Sequence, residues 1–360
     1  MTMLPAQDGD CFLVEAMGTR ILIDGGRTAT GQAALPTLLR TLPPRDGPLL
    51  DLLVLTHVDA DHIEGLLPFL GDATATVGEI WFNGFAQIAA AAGMQDILPA
   101  RGPAAATAAE PVLSPTQGLT LARLIDERGL DWNTRFTRGP ISTRPDAPLP
   151  AIDLAPDVRI VILGPPEAKL AAFLPAWREA LRTFATEPEP TLRGRIRPTP
   201  TPQNIRTIAS LMDESDQAKA NGTSIAFVVE CRGRTALFGA DAHPDDLAHA
   251  LVRYRGGPEG RVPFDLIKVP HHGSAKNNTS PLIDIVSSPL WLVSSDGSRH
   301  QHPDPEAIAR IVLAPDREKT IAFNYRTAFN EGWDEDGIKN AFGYITRYGS
   351  ISDPLAFDLL

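Results

Sequence analysis

Apolar residues fall into short runs that stop abruptly at polar loops, and their spacing predicts an alternation of strands and helices. Cys11 to Glu15, a turn at Met17-Gly18, and Arg20 to Ile23 read as a β-hairpin ending at Asp24-Gly25-Gly26. A second unit repeats the pattern: Ser224 to Cys231, a turn at Arg232-Gly233, then Thr235 to Phe238, ending at Gly239-Ala240-Asp241. Phe12-Leu13-Val14-Glu15-Ala16 aligns with Phe227-Val228-Val229-Glu230-Cys231, a weak internal repeat that two unrelated hairpins could also produce. Leu52 to Leu55 is a short apolar run of the kind that forms a buried strand, and Ile63, Leu66, Leu67 and Leu70 follow at helical spacing.

Farther along, the pattern predicts helices over Leu119–Arg128, Glu167–Ala185 and Pro244–Tyr254, and a helix capped by Asp304 with Ile308, Ile311 and Val312 on its apolar face. Strands are expected at Val158–Leu163, Phe264–Val269, Leu290–Val293 and Thr320–Phe323. Residues 85–118 mix short helix with loop, 133–156 read as loop, and 186–206 are rich in Pro and Arg. Trp81, Phe82 and Trp291 are expected in the core. The division that follows is one domain over 1–360, carrying an insertion at 85–155, a mobile Pro/Arg-rich loop at 186–222 and a C-terminal extension at 316–360.

Composition narrows the function. Of 360 residues, 43% are hydrophobic, enough for a sizeable core, and the formal charge is −11. A protein that coats nucleic acid non-specifically would be basic, so a polyanion here must be met by local charge or bound metal. Arg193, Arg195, Arg197 and Arg206 could guide such a backbone or form a solvated loop. Cys11 and Cys231 are the only cysteines and sit inside apolar runs, which reads as two buried thiols. The N-terminus lacks a basic, then apolar leader pattern, and no stretch approaches the ~20 apolar residues that span a bilayer. A soluble cytoplasmic protein is the expectation.

The chemistry gathers where strands end. His57, Asp59, Asp61 and His62 lie within six residues, directly after the Leu52–Leu55 run. Imidazoles and carboxylates at that spacing on a strand-to-helix loop can surround one or two cations. Asp24, Asp241 and His271-His272 also follow directly on predicted strands, and His300 and His302 come shortly after another. Ligands collect at strand ends in layered α/β folds, so these loops are expected at one edge. Plain alternatives are a helix cap at Asp241, a satisfied turn at His271-His272 and a surface loop at His300 and His302.

These residues resemble the metallo-β-lactamase superfamily, and within it the hydrolase domain of ComEC-type competence DNA-uptake proteins and its free-standing relatives. The resemblance is carried by Ile21-Leu22-Ile23-Asp24-Gly25-Gly26, Thr56-His57-Val58-Asp59-Ala60-Asp61-His62, and Asn221-Gly222-Thr223-Ser224 leading to Gly239-Ala240-Asp241-Ala242. Lys268-Val269-Pro270-His271-His272-Gly273-Ser274 and His302-Pro303 complete it. The resemblance implies an α/β fold, a four-layer αββα sandwich, with two divalent metal ions between the sheet edges. His57 and Asp59 would bind one, Asp61 and His62 the other, with Asp241 bridging and His271, or failing it His272, as a further ligand. Asp59 stands where the superfamily usually has histidine, and no histidine occurs from 63 to 240. The added carboxylate suits Mn²⁺ or Mg²⁺, with Zn²⁺ still compatible.

The implied activity is that of a metal-dependent hydrolase, a nuclease or phosphodiesterase using a metal-activated water. Asp61, His272 and His302 are the candidate catalytic residues, with His272 or His302 donating a proton to the leaving group. Gly273, Ser274 and Lys276 would hold a phosphate oxygen, His243 would line the site, and Asp24 would orient a ligand from behind. The partners implied are a nucleic acid or other phosphodiester and a protein from the same operon, with no membrane channel. Hydrolysis of a small ester, thioester or lactone, and a degenerate module that only binds nucleic acid or a partner, are the alternatives.

Overall fold

The computed structural model describes all residues except 95–113, 184–196, 213, 258, 317, 359 and 360. In chain order its strands are β1 (Thr2–Met3), β2 (Phe12–Ala16), β3 (Thr19–Ile23), β4 (Leu50–Val54), β5 (Val77–Trp81), β6 (Ala151–Ala155), β7 (Val158–Ile162) and β8 (Phe227–Cys231). They continue with β9 (Arg234–Phe238), β10 (Val262–Pro263), β11 (Leu266–Lys268), β12 (Val286–Ser287), β13 (Leu290–Val293), β14 (Lys319–Phe323), β15 (Tyr344–Tyr348) and β16 (Leu355–Ala356). One sheet has the order β16-β1-β2-β3-β4-β5 and the other β15-β14-β13-β11-β9-β8-β7-β6, while β10 and β12 form a small separate pair.

Side-chain alternation builds the layers. Successive residues of a strand point to opposite faces. Phe12, Val14, Ile21, Ile23, Leu52 and Val54 of the first sheet therefore meet Ile160, Ile162, Phe227, Val229, Phe238 and Leu266 of the second in one buried cluster. The intervening Leu13, Leu22, Leu50 and Leu53 face outward and are covered by helices through Leu35, Leu66, Phe69, Leu121, Phe173 and Trp177. On the far side Val228, Leu237, Ile267, Trp291 and Val293 pack against Leu247, Leu251, Ile308 and Ile311. The result is a helix–sheet–sheet–helix sandwich, the four layers that the resemblance implies. Trp81, Phe82 and Trp291 lie wholly inside it. Both cysteines are buried and free.

The two similar hairpins occupy facing sheets, and their turns share a conformation. Met17 and Gly18 (φ 50° and 84°) and Arg232 and Gly233 (φ 47° and 78°) are both left-handed pairs, the arrangement that matches the twist of a tight hairpin. β3 and β4 run parallel, as do β9, β11, β13, β14 and β15. Parallel strands end at the same edge of their sheet, so Asp24 emerges beside the 57–62 loop and Asp241 beside the 271–272 pair, and the two edges meet where His57 and His62 reach Asp241.

Several expectations needed adjustment. The stretch expected as loop over 133–156 contains β6, paired antiparallel to β7. Its residues are only partly covered, so the apolar contrast that marks a strand is weak there. β5 and β15 were likewise not expected. The helices lie at Ser114–Glu127, Glu167–Thr183 and Pro244–Arg255. Much of the 85–118 stretch lies outside the described residues, as do 186–196, Arg193 and Arg195. The described remainder of 186–222 holds a short helix, Ile205–Ala209, with Ile205 and Ile208 in the core. Residues 319–356 are integral to both sheets, adding β14 and β15 to one and β16 to the other. Among the described residues no helix is long and apolar enough to cross a membrane.

The candidate metal centre

The first sheet contributes the 57–62 loop. Asp59 (φ −65°, ψ 146°) opens the short helix Ala60–Ile63, so Asp61 and His62 sit in its first turn beside His57. This loop is held against the N-terminal segment at very short range. Asp10 N–H donates to the Asp61 carbonyl at 3.2 Å, and a Cβ on Gly9 would lie 1.8 Å from that carbonyl oxygen. Only glycine permits this approach. Ser294 Oγ donates to the Gly9 carbonyl at 2.6 Å, which ties the second sheet to the same point.

Four imidazole nitrogens converge on one carboxylate oxygen. Asp241 Oδ2 lies 3.9 Å from His57 Nε2, 3.5 Å from His62 Nε2, 3.5 Å from His271 Nε2 and 3.7 Å from His272 Nε2. Asp59 Oδ2 is 3.5 Å from His57 Nε2. Asp61 Oδ2 is 3.1 Å from His272 Nε2 and 3.8 Å from His62 Nε2. All six residues named as metal-capable from the sequence are thus brought into one cluster.

The opposite ring nitrogens are all engaged outward. His62 Nδ1 meets Asp24 Oδ2 at 2.8 Å, His271 Nδ1 meets Asn277 Oδ1 at 2.8 Å, and His272 Nδ1 meets the Ser294 carbonyl at 2.9 Å. His57 Nδ1 meets Thr56 Oγ1 at 3.1 Å, and that hydroxyl donates onward to Asp24 Oδ2 at 2.9 Å. Each outer partner is an acceptor, so each Nδ1 carries the proton and each Nε2 presents a lone pair inward. His57 Nε2, His62 Nε2, His272 Nε2 and Asp241 Oδ1 are buried and have no hydrogen-bond partner. Buried lone pairs facing one another around a carboxylate call for cations, and imidazole with carboxylate is a donor set that divalent metals accept. The residues fit the implied ions.

Charge in the cluster agrees with this. Burial pushes the Asp61 and Asp241 carboxyls up, but the surrounding imidazoles outweigh it and hold both well below the usual range. Burial pushes His62, His271 and His272 down, yet neighbouring carboxylates raise all three, His272 to about 10. The pocket therefore favours positive charge at the Nε2 positions, carried by protons or, in competition with them, by metal.

Several supporting residues were not legible as chemistry in the sequence. Asp10 forms a buried ion pair with Lys268, and its other oxygen lies 3.3 Å from His272 Nδ1. Burial would raise the Asp10 carboxyl, but Lys268 and His272 bring it down to about 2. Asp10, His62, Asp241 and His272 place donor atoms within 4.8 Å of one another. Because Asp10 faces Lys268 and the protonated Nδ1, it is better placed to orient His272 than to bind an ion. Asp216 and Asn277 do the same for His271. Asn277 Nδ2 and Asn221 Nδ2 donate to Asp216 Oδ2 at 3.0 and 2.7 Å.

Other predicted residues lie elsewhere. His243 does not face the cluster: its Nδ1 meets Lys169 Nζ at 3.0 Å and its Nε2 the Ala218 carbonyl at 2.8 Å. As the residue that opens the Pro244–Arg255 helix, it is turned toward that helix's neighbours. Lys276 pairs with Glu214 on the surface, at 3.2 Å, rather than standing free for a phosphate. Ser274 is buried behind the histidine pair, its N–H bonded to the His271 carbonyl at 2.7 Å. Gly273 (φ 85°) packs so closely on Pro303 that a Cβ would come within 2.6 Å. His302 stacks edge-on to His271, centroids 5.5 Å apart, with the exposed His300 beyond it. Burial and the three nearby histidines hold His302 well below its usual range. That shift favours the neutral ring, which weighs against His302 as the donor of the leaving-group proton.

One outer contact yields a direct test. Replacing Asp24 by Asn removes the charge behind His62 and, through Thr56, behind His57, so metal affinity should weaken about 10–100-fold. Titration of the metal-stripped variant by calorimetry checks this; unchanged affinity would show that Asp24 serves the backbone of Thr56 alone, to which it also bonds.

Residues 4–130 match the model of the metallo-beta-lactamase superfamily. No curated protein matches the chain. Among solved structures, it is similar to Zn²⁺-bound PqqB from Methylobacterium extorquens, at 10% identity and a TM-score of 0.41, over 97% of this chain and 88% of that one. It is also similar to CmlA, a diiron β-hydroxylase from Streptomyces venezuelae, at 14% identity and a TM-score of 0.39, over 97% of this chain and 52% of that one. The chain thus spans about half the length of CmlA. The narrower likeness to ComEC-type domains is not among these matches. The 57–62 loop falls inside the matched span, and the mixed α/β sandwich is consistent with the metallo-β-lactamase fold.

Proposed function

We propose that this protein is a metal-dependent hydrolase of phosphodiesters, with nucleic acid as the leading substrate class. The observation that carries the reading is the convergence of four imidazole Nε2 atoms on Asp241 Oδ2, flanked by Asp59 and Asp61. A shared carboxylate between two donor groups suits a pair of divalent cations. When bound, such a pair lowers the pKa of water toward ~7 and steadies the charge of a departing oxygen.

Charge favours a phosphate over a neutral ester. Two divalent cations bring about four positive charges against the three carboxylates of Asp59, Asp61 and Asp241. Asp10 is neutralised by Lys268, and Asp24 and Asp216 lie behind the imidazoles rather than against the cations. The surplus attracts an anion although the chain as a whole is acidic. Access is from one side: the Asp59 and His271 side chains are 31% and 22% exposed, while those of His57 and His62 are fully covered. A substrate arriving there meets His302 beside His271. Its neutral ring can accept a proton or hydrogen-bond a substrate oxygen.

The test is a panel of single-stranded DNA, duplex DNA, RNA and bis-p-nitrophenyl phosphate, set against a simple ester, a thioester and a lactone. Each is offered with Mn²⁺, Mg²⁺ or Zn²⁺. Phosphodiester cleavage should exceed ester cleavage by about 10²-fold in kcat/KM, vanish with chelator and return with metal. Turnover confined to the ester, thioester or lactone, under every metal, would overturn the phosphodiester reading.

A further inference from the structure

Counted by side, the donors look one short. No histidine occurs between Ile63 and Ala240, so that stretch adds none to the pair His57 and Asp59. The 271–272 turn can make up the difference because of an unusual backbone. Consecutive residues of an extended chain point to opposite faces, and only one of two adjacent histidines would then reach a given site. After β11 the chain instead enters a turn in which His271 (φ 46°, ψ 56°) and His272 (φ 54°, ψ 18°) are both left-handed. That conformation costs on the order of 1–3 kcal/mol per residue and persists only where the surroundings enforce it. Its effect is to bring both Nε2 atoms to Asp241 Oδ2, at 3.5 and 3.7 Å.

The two rings are also anchored separately. His271 Nδ1 is held by Asn277 Oδ1 at 2.8 Å, with Asp216 Oδ2 at 3.7 Å. His272 Nδ1 is held by the Ser294 carbonyl, with Asp10 at 3.3 Å. A turn that supplied one ligand would need one such set of anchors. His272 Nε2 is 3.1 Å from Asp61 Oδ2, which places it with Asp61 and His62. His271 Nε2 shares Asp241 Oδ2 with His57 Nε2, and the His57–Asp59 side is the one left short of a donor.

We propose that His271 and His272 are both metal ligands, one for each cation of a pair bridged by Asp241. His272 completes the set Asp61–His62, and His271 completes the set His57–Asp59. The assignment rests on the two-cation reading above but is independent of the substrate.

The experiment loads metal-stripped protein with Mn²⁺, counts bound ions by mass spectrometry and records the magnetic coupling of the pair by electron paramagnetic resonance. Wild type and the surface control His249→Ala should hold two ions with a coupled signal. His271→Ala and His272→Ala should each fall to about one, with the coupling lost. His271→Asn and His272→Asn carry the same count if an alanine variant does not fold, as judged by circular dichroism. A wild-type protein that never binds more than one ion overturns the proposal. So does either variant that keeps two ions and the wild-type coupling. If both variants lose one ion while bis-p-nitrophenyl phosphate stays intact under every metal, the ligand assignment stands and the phosphodiesterase reading falls.

Discussion

Asp241→Ala should abolish hydrolysis and empty the centre of both cations. The side chain is buried and meets four imidazoles through Oδ2, while Oδ1 lies 3.9 Å from Lys268 Nζ. Removing it separates the two donor groups, so neither cation keeps the ligand they share. Loss of an outer partner of a ligand typically costs 10–100-fold in affinity or activity. Loss of a shared ligand should exceed that, with kcat/KM down by more than about 10³-fold. Asp241→Asn keeps the volume and one oxygen but not the charge, and should retain part of the metal. Elemental analysis with turnover measured on the same folded preparation checks both. Two bound ions and wild-type rates in Asp241→Ala would contradict the bridging role.

The second large effect concerns pH in metal-stripped protein. The folded-state values of Asp10, Asp61 and Asp241 are depressed. Their stabilisation is therefore present above the ordinary carboxylate range of about 4 and fades as pH falls, for Asp10 through about 2. His62, His271 and His272 are raised. Their contribution is complete below about 6.5 and is lost as pH rises, for His272 through about 10. The stripped protein should be most stable at mildly acidic pH and weaken on the alkaline side. A loss of ~2–3 kcal/mol, at a little over about 1 °C per kcal/mol for 360 residues, lowers Tm by about 3–4 °C between pH 6.5 and 9.5. Saturating Mn²⁺ should remove this slope, because metal replaces the imidazole protons. Differential scanning calorimetry with and without chelator decides; a flat profile for the stripped protein would show that the cluster is not held together by those protons.

How much of this was legible beforehand depended on contrast. β2, β3, β4, β8 and β9 stand out because apolar runs break against glycine turns. β6 did not, since a half-covered strand at a sheet margin carries little hydrophobic signal. The 57–62 loop was conspicuous because histidine and aspartate at that spacing are rare outside metal sites. Asp10, Asp216 and Asn277 were not, since lone aspartates and asparagines are ordinary in loops and gain meaning only from what they touch. His243 misled for the opposite reason. It stands two residues from Asp241 in sequence, but the turn into the next helix aims it at Lys169. Adjacency along the chain predicted a shared site for His271 and His272 only because both adopt a backbone that sequence patterns do not show.

The Gly9 contacts carry a consequence for assembly. The segment around Gly9 is clasped on one flank by Asp61 and on the other by Ser294, a partner 285 positions away. Synthesis from the ribosome delivers the 57–62 loop with its early partners Asp24 and Thr56 long before Asp241, His271 and His272, so the cluster cannot close until most of the polypeptide has emerged. Products truncated before His272 should therefore lack the assembled cluster.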